Sequence, residues 1–153
     1  MTKSPPNNYR KKSAARLAAV QILYHMEIGK INSEEALQNF QENYLGKNIE
    51  EEAALKPDIS LMNKIVLGTQ KRLTDLDTMI GATLSNEWKI ERLEKVVLSI
   101  LRAGTYELLM CPETDTGVII SEYLDVAHAF HEDKEIKFVN ASLNRLAQTI
   151  REA

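Results

Sequence analysis

One cysteine, Cys111, stands in 153 residues. A lone thiol excludes an intrachain disulfide and fits a reducing compartment. No apolar run approaches the roughly 20 residues needed to span a bilayer. The opening stretch MTKSPPNNYRKKS is polar and basic, with no apolar signal core. The expected location is therefore the cytoplasm, away from any membrane. Phosphate-cradling glycine loops are missing, and so is any GxGxxG pattern. No Cys/His set has metal spacing. His128 and His131 stand three apart beside Glu132 and Asp133, which reads as a solvated helix end rather than a metal site. Cys111 has no activating partner in sequence, and the run of Glu50, Glu51 and Glu52 reads as a solvated surface. Together these absences argue against an enzyme and imply neither cofactor nor metal.

What is present is an ordinary globular composition, 44% hydrophobic and 27% charged, long enough for one domain with a sizeable core. The net charge of −3 conceals an asymmetry. Residues 1–26 carry Lys3, Arg10, Lys11, Lys12 and Arg16 and no acid, a charge of +5, which leaves −8 for the remainder. A concentrated basic surface is what a nucleic-acid partner needs, whatever the overall sign. Residues 1–12 read as a flexible basic arm and 13–153 as one helical domain.

Helical periodicity runs through almost the whole chain. The first helix is expected over 13–28, stopped by Gly29. Leu17, Val20, Tyr24 and Ile28 form one stripe there, and Ile22, Leu23 and Met26 lie elsewhere around the cylinder. A second helix is expected over 33–46, capped by Ser33 and ended by Gly46. A charged connection follows over 47–57. Asp58 caps a long helix to about Ile80, with Met62, Ile65, Val66, Thr69, Leu73, Leu76 and Ile80 buried. A short turn around Trp88 leads to a helix over 90–110 with Gly104 inside it, where a glycine allows close helix approach. Pro112 ends it. Further helices are expected over 115–131 and from 133 onward. No strand pattern, repeat or low-complexity tract interrupts them. The fold class is all-α, a single domain of about six or seven helices.

The last helix, KEIKFVNASLNRLAQTIR, carries the informative anomaly. On a wheel of about 100° per residue, Ile136, Val139, Leu143, Leu146, Ala147 and Ile150 cluster together. Phe138 falls nearly opposite, among Lys134, Lys137 and Arg145. Two readings stay open. An exposed ring among cations can stack an unpaired base while the lysines meet phosphates. Alternatively, a neighbouring helix covers the ring. Arg10, Lys11, Lys12 and Arg16 at the start of the first helix favour a single-stranded RNA partner. No helix-turn-helix pair is evident for duplex DNA.

Three blocks carry a resemblance. ARLAAVQILYHME (15–27), ILRAGTYELL (100–109) and KFVNASLNRLA (137–147) resemble, in order, segments of the bacterial transcription antitermination factor NusB family. The resemblance covers nearly the whole chain. It implies an all-helical fold of two small helical subdomains. It also implies binding to the boxA element of nascent RNA in a heterodimer with the ribosomal protein NusE. The complex helps the RNA polymerase elongation complex through ribosomal RNA operons. Mapped by similarity, Arg10, Lys11, Lys12, Arg16, Lys137, Phe138 and Asn140 are RNA-facing, and the wheel adds Lys134 and Arg145 to the RNA-binding set. Tyr24 matches a tyrosine near the NusE-facing side, and Met26 is a second partner-binding candidate. A valine pair, Val96 and Val97, stands where the family often has Val-Glu. Ala141 and Asn144 replace a glycine and an aspartate. Whether the free protein is a monomer or a homodimer stays open.

Two other classes of function remain as alternatives. One is the RNA-binding subunit of an RNA-modifying enzyme, since NusB-like domains also occur attached to methyltransferases. The other is a structural helical protein that self-associates through the additional apolar face of the first helix.

Overall fold

The computed structural model describes residues 7–45, 57–84 and 89–151. Seven α-helices account for most of them: α1 Asn7–Gly29, α2 Ser33–Phe40, α3 Ile59–Lys71, α4 Leu73–Thr83, α5 Lys95–Met110, α6 Thr116–Phe130 and α7 Asp133–Arg151. A single π turn, Gln41–Leu45, extends α2, and a 3-10 turn, Ile90–Arg92, precedes α5. No strand occurs among the described residues. The expected turn around Trp88, the helix end at Gly46 and the acidic run 50–52 lie outside them.

Helix α5 is the axis of the fold. Every residue from Val97 to Leu108 is buried, and a helix buried on all sides must be wrapped by its neighbours. It packs against α1, α3, α4, α6 and α7. Glu94 caps its start, its carboxylate accepting from the backbone N–H of Val96 and of Val97, which satisfies two of the helix's orphan donors. Gly104 sits where α7 and α6 come closest. An added Cβ there would lie 2.9 Å from Leu143 Cδ2 and 3.5 Å from the Tyr123 ring. The expected close helix approach is therefore present.

Other local expectations shift. Asn32, rather than Ser33, caps α2 by accepting from the Glu35 N–H at 2.8 Å. Asp58 caps α3 as its position suggests, accepting from the Leu61 N–H at 3.0 Å. The single long helix expected from Asp58 to Ile80 is two helices. It breaks at Arg72, which leaves helical geometry at φ −108° and ψ 20°. The first helix begins at Asn7 rather than Ser13, so Arg10, Lys11 and Lys12 are helical. It also runs through Gly29, and Lys30 takes the left-handed conformation at φ 54°.

The buried face of α1 differs from the expected stripe. Ala15, Ala18, Ala19, Val20, Ile22, Leu23 and Met26 are buried. Leu17 and Tyr24 are half-buried and Ile28 is 54% exposed. Small alanines let α1 lie close to α3 and α5, so the closest face is the alanine face rather than the one with the bulkiest residues. Phe130, the last residue of α6, is exposed.

Candidate nucleic-acid interface

Helix α7 divides cleanly. Val139, Ser142, Leu143, Leu146 and Ala147 are buried where the helix meets α5 and α6. Lys134, Lys137, Asn140, Ala141, Asn144 and Arg145 are exposed. Arg145 is exposed, and among the described residues its Nη1 makes a long contact, 3.4 Å, to the Thr83 carbonyl oxygen. Phe138 combines elements of both readings of its ring: it is half-buried and packs against the core. One side of the ring is used by the fold, and part of it stays at the surface beside the lysines.

Arg10, Lys11 and Lys12 are exposed on the opening turns of α1. The backbone there is tied down, since the Asp58 N–H donates to the Lys11 carbonyl oxygen at 3.0 Å. Helices α1 and α7 both pack on α5 and α6, which form a common platform for the two basic faces. Among the described residues no hydrogen bond or ion pair joins one basic face directly to the other.

Arg16 does not belong with that exposed set. Its side chain is buried, 4% exposed, and its guanidinium is spent inside the fold. Nε donates to Glu107 Oε2 at 2.8 Å and Nη2 to Glu107 Oε1 at 3.0 Å. Nη1 donates to Glu122 Oε1 at 2.6 Å. Ser13 Oγ and Tyr123 OH complete the cluster, donating to Glu122 and Glu107 at 2.7 and 2.5 Å. Burial works against the charge on Arg16, but hydrogen bonding and attraction from Glu107 and Glu122 outweigh it, so its pKa is raised. A guanidinium with two buried carboxylates as partners has no free edge for a phosphate. The basic character of its sequence neighbourhood suggested exposure; the carboxylates that claim it come from α5 and α6.

Met26 is likewise corrected. It is 7% exposed and part of the core, so it offers little surface to a partner. Tyr24 is half-buried, its ring edge-on to His25 with centroids 5.8 Å apart. Val97 is buried and Val96 half-buried. His131 lies 2.9 Å from Glu94, and no metal-binding cluster occurs among the described residues. Cys111 is buried, and its thiol pKa is raised, chiefly by burial, so it is not an activated nucleophile.

Several organising residues escaped the sequence reading. Arg102 on α5 donates two hydrogen bonds of 2.8 Å to Asp77 on α4 and reaches Glu27 on α1 at 3.3 Å. Arg151 on the last turn of α7 donates to the carbonyl oxygens of Leu108, Cys111 and Thr114 at 2.9, 2.8 and 2.6 Å, closing the C-terminal end of α5. The available signal was the charge in ILRAGTYELL. Arg102 and Glu107 are embedded in a segment apolar on every side, and a charge buried there requires a partner.

The fold and surface define a class: an all-α module, seven helices among the described residues, around one buried helix, with cations on its outer faces. The profile described as NusB family matches residues 13–148. The chain is 44% identical over 147 residues to the "Transcription antitermination protein NusB" of Sinorhizobium fredii, covering 96% of this chain and 92% of that protein. It is 41% identical over 147 residues to the protein of that name from Rhizobium rhizogenes, with the same coverage. Among solved structures, "T. maritima NusB" superimposes with a TM-score of 0.73 at 27% identity, covering 96% of this chain and 93% of that one. A chain of "Antitermination Factors NusB and NusE in complex with dsRNA" gives 0.75 at 26%, covering 92% and 98%.

The chain belongs to the NusB family. Its curated relatives are transcription antitermination proteins, not enzymes. No helix among the described residues is long and apolar enough to cross a membrane.

Proposed function

We propose that the chain is a cytoplasmic antitermination factor that binds boxA-like single-stranded RNA together with NusE. In this role it supports RNA polymerase elongation complexes on ribosomal RNA operons. The observation that carries the RNA and NusE part of the proposal is the shared fold with a structure of NusB and NusE in complex with dsRNA; the single-stranded preference rests on the ring and cations of α7. Arg10, Lys11, Lys12, Lys134, Lys137 and Arg145 supply phosphate attraction, and Phe138 with Asn140 supplies base contacts. Arg16 supports this surface from within, and Tyr24 is the remaining candidate on the partner-facing side of α1. The test is a titration of labelled boxA RNA, with and without NusE, against a scrambled strand. Tighter binding of boxA that strengthens with NusE supports the reading; equal binding of both strands rejects it.

Self-association of the free protein is a second reading. It is favoured by Ile28, 54% exposed on α1 beside half-buried Tyr24. Sizing of the free chain tests it, with dissociation of a dimer by Ile28→Glu as the expected result.

A further inference from the structure

The amide of Asn140 has its polarity set by its neighbour one turn along α7. Asn144 Nδ2 lies 2.8 Å from the main-chain carbonyl oxygen of Asn140 and 3.0 Å from Asn140 Oδ1. A carbonyl oxygen only accepts, so the Asn144 atom facing it must be the amide nitrogen. The second hydrogen of that nitrogen then points to the Asn140 side chain, which must present its oxygen in return. The direction of both amides therefore follows from the main chain, where an isolated asparagine could face either way. Asn140 Nδ2 and its two hydrogens are left unspent among the described residues. They stand on the exposed face shared with Lys137.

We infer that Asn140, oriented by Asn144, is a base-selecting residue that turns the donor end of its amide to RNA. The inference rests on the RNA-binding reading above. A donor edge matches a base with a carbonyl at its exocyclic position, such as uracil O4 or guanine O6. It meets two hydrogens when the base carries an amino group there, as at cytosine N4 or adenine N6. Asn144 is a positioning residue in this scheme, because it acts through Asn140.

The test compares labelled decauridylate with labelled decacytidylate by fluorescence anisotropy, using the full chain. Both strands carry the same phosphates and pyrimidine rings, so the electrostatic contribution largely cancels in the ratio of their affinities. Decauridylate should bind about fivefold more tightly, the worth of one net hydrogen bond. Asn144→Ala frees the amide to rotate and should bring the ratio close to one. Asn144→Asp supplies an acceptor to Asn140 Nδ2, turns Oδ1 outward and should shift the ratio toward decacytidylate. Its added negative charge weakens both strands alike. A purely structural role for Asn144 would lower both affinities and leave the ratio unchanged, and that result overturns the inference. So does a ratio of one in the natural chain. Failure of both strands to bind at all would instead remove the RNA-binding reading, and the inference with it.

Discussion

Arg16 and Glu107, 91 positions apart in sequence, meet in a two-pronged ion pair inside the protein. Glu122 takes the third guanidinium nitrogen, Nη1, so one α1 residue fastens that helix to α5 and α6 together. Replacing Arg16 with methionine keeps the bulk and removes the cation that faces two buried carboxylates. The expected loss is about 3 to 5 kcal/mol of stability, read as a lower urea midpoint. Arg16→Lys keeps the charge without the planar fork and should fall between the two. At a temperature where Arg16→Lys is fully folded, the salt slope of its RNA binding should match that of the natural chain, because Arg16 meets no phosphate. A reduced slope would return Arg16 to the interface.

The same cluster gives the protein an alkaline limit. Burial raises the pKa of Tyr123 well above its ordinary value, with Glu107 adding to the effect. Burial also raises those of Cys111 and Tyr106. In each case the folded state holds its proton more tightly than the unfolded chain. The stabilisation is complete below the unfolded pKa and is lost as pH climbs past it toward the folded one. Urea midpoints should therefore be level below pH of about 8 and decline above it, first through cysteine and then through tyrosine. Tyr123→Phe removes one contributor and should make the decline shallower above pH of about 10. It should also cost about 1 to 3 kcal/mol at neutral pH by leaving Glu107 short of a donor.

Much of this architecture was legible because helical periodicity is local. The helical spans of α5, α6 and α7, the apolar stripe of α7 and the Asp58 cap follow from spacing and residue type alone. Arg72 shows where that logic ends: neither glycine nor proline marks the break, and apolar positions keep helical spacing across it. On α1, alanine carried the buried face, and small residues give periodicity little contrast. The exposed lysines of α7 could be placed from the wheel because the opposite face was strongly apolar. The fate of Arg16 could not, since its partners are distant in sequence and only the tertiary fold brings them together.

Gly68 and Gly104 both sit inside helices, where alanine is favoured by about 1 kcal/mol, yet they should respond differently. A Cβ on Gly68 would run into the ring and hydroxyl of Tyr106, and a rigid ring in a packed core yields only by moving backbone. A Cβ on Gly104 meets chiefly the end methyl of Leu143 at 2.9 Å, which rotates more easily. Gly68→Ala should lose about 1 to 3 kcal/mol, and Gly104→Ala should stay within about 1 kcal/mol of the natural chain. Thermal unfolding of the two variants decides it; equal losses would mean that the ring gives way as readily as the methyl.

Lys30 holds a left-handed backbone, φ 54°, immediately after the glycine that sequence marks as the helix stop. A residue with a Cβ is strained there by about 1 to 2 kcal/mol. Lys30→Gly relieves that strain and gives back part of it through a more flexible unfolded chain, for a net gain of about 0.5 to 1 kcal/mol. The ion pair lost to Glu27, at 3.9 Å and largely in solvent, contributes nothing measurable. A fall in the unfolding midpoint of this variant would show that Lys30 has a role beyond its backbone.

Phe138 and Lys137 are neighbours in sequence with different work on the same helix, and two measurements separate them. Phe138 is half-buried against the core, so Phe138→Ala should lower stability by about 1 to 3 kcal/mol, less than a fully buried ring would. It should also weaken RNA binding by about 1 to 3 kcal/mol through lost stacking, with the salt slope unaltered because no charge is removed. Lys137 is exposed, so Lys137→Ala should leave stability within about 0.5 kcal/mol. If it neutralises one phosphate, its loss reduces the salt slope by about 0.7. Binding assays across a salt series, at a temperature where both variants are fully folded, distinguish the two. An unchanged slope in Lys137→Ala would take that lysine out of the phosphate-binding set, and an unchanged affinity in Phe138→Ala would leave its ring with a purely structural task.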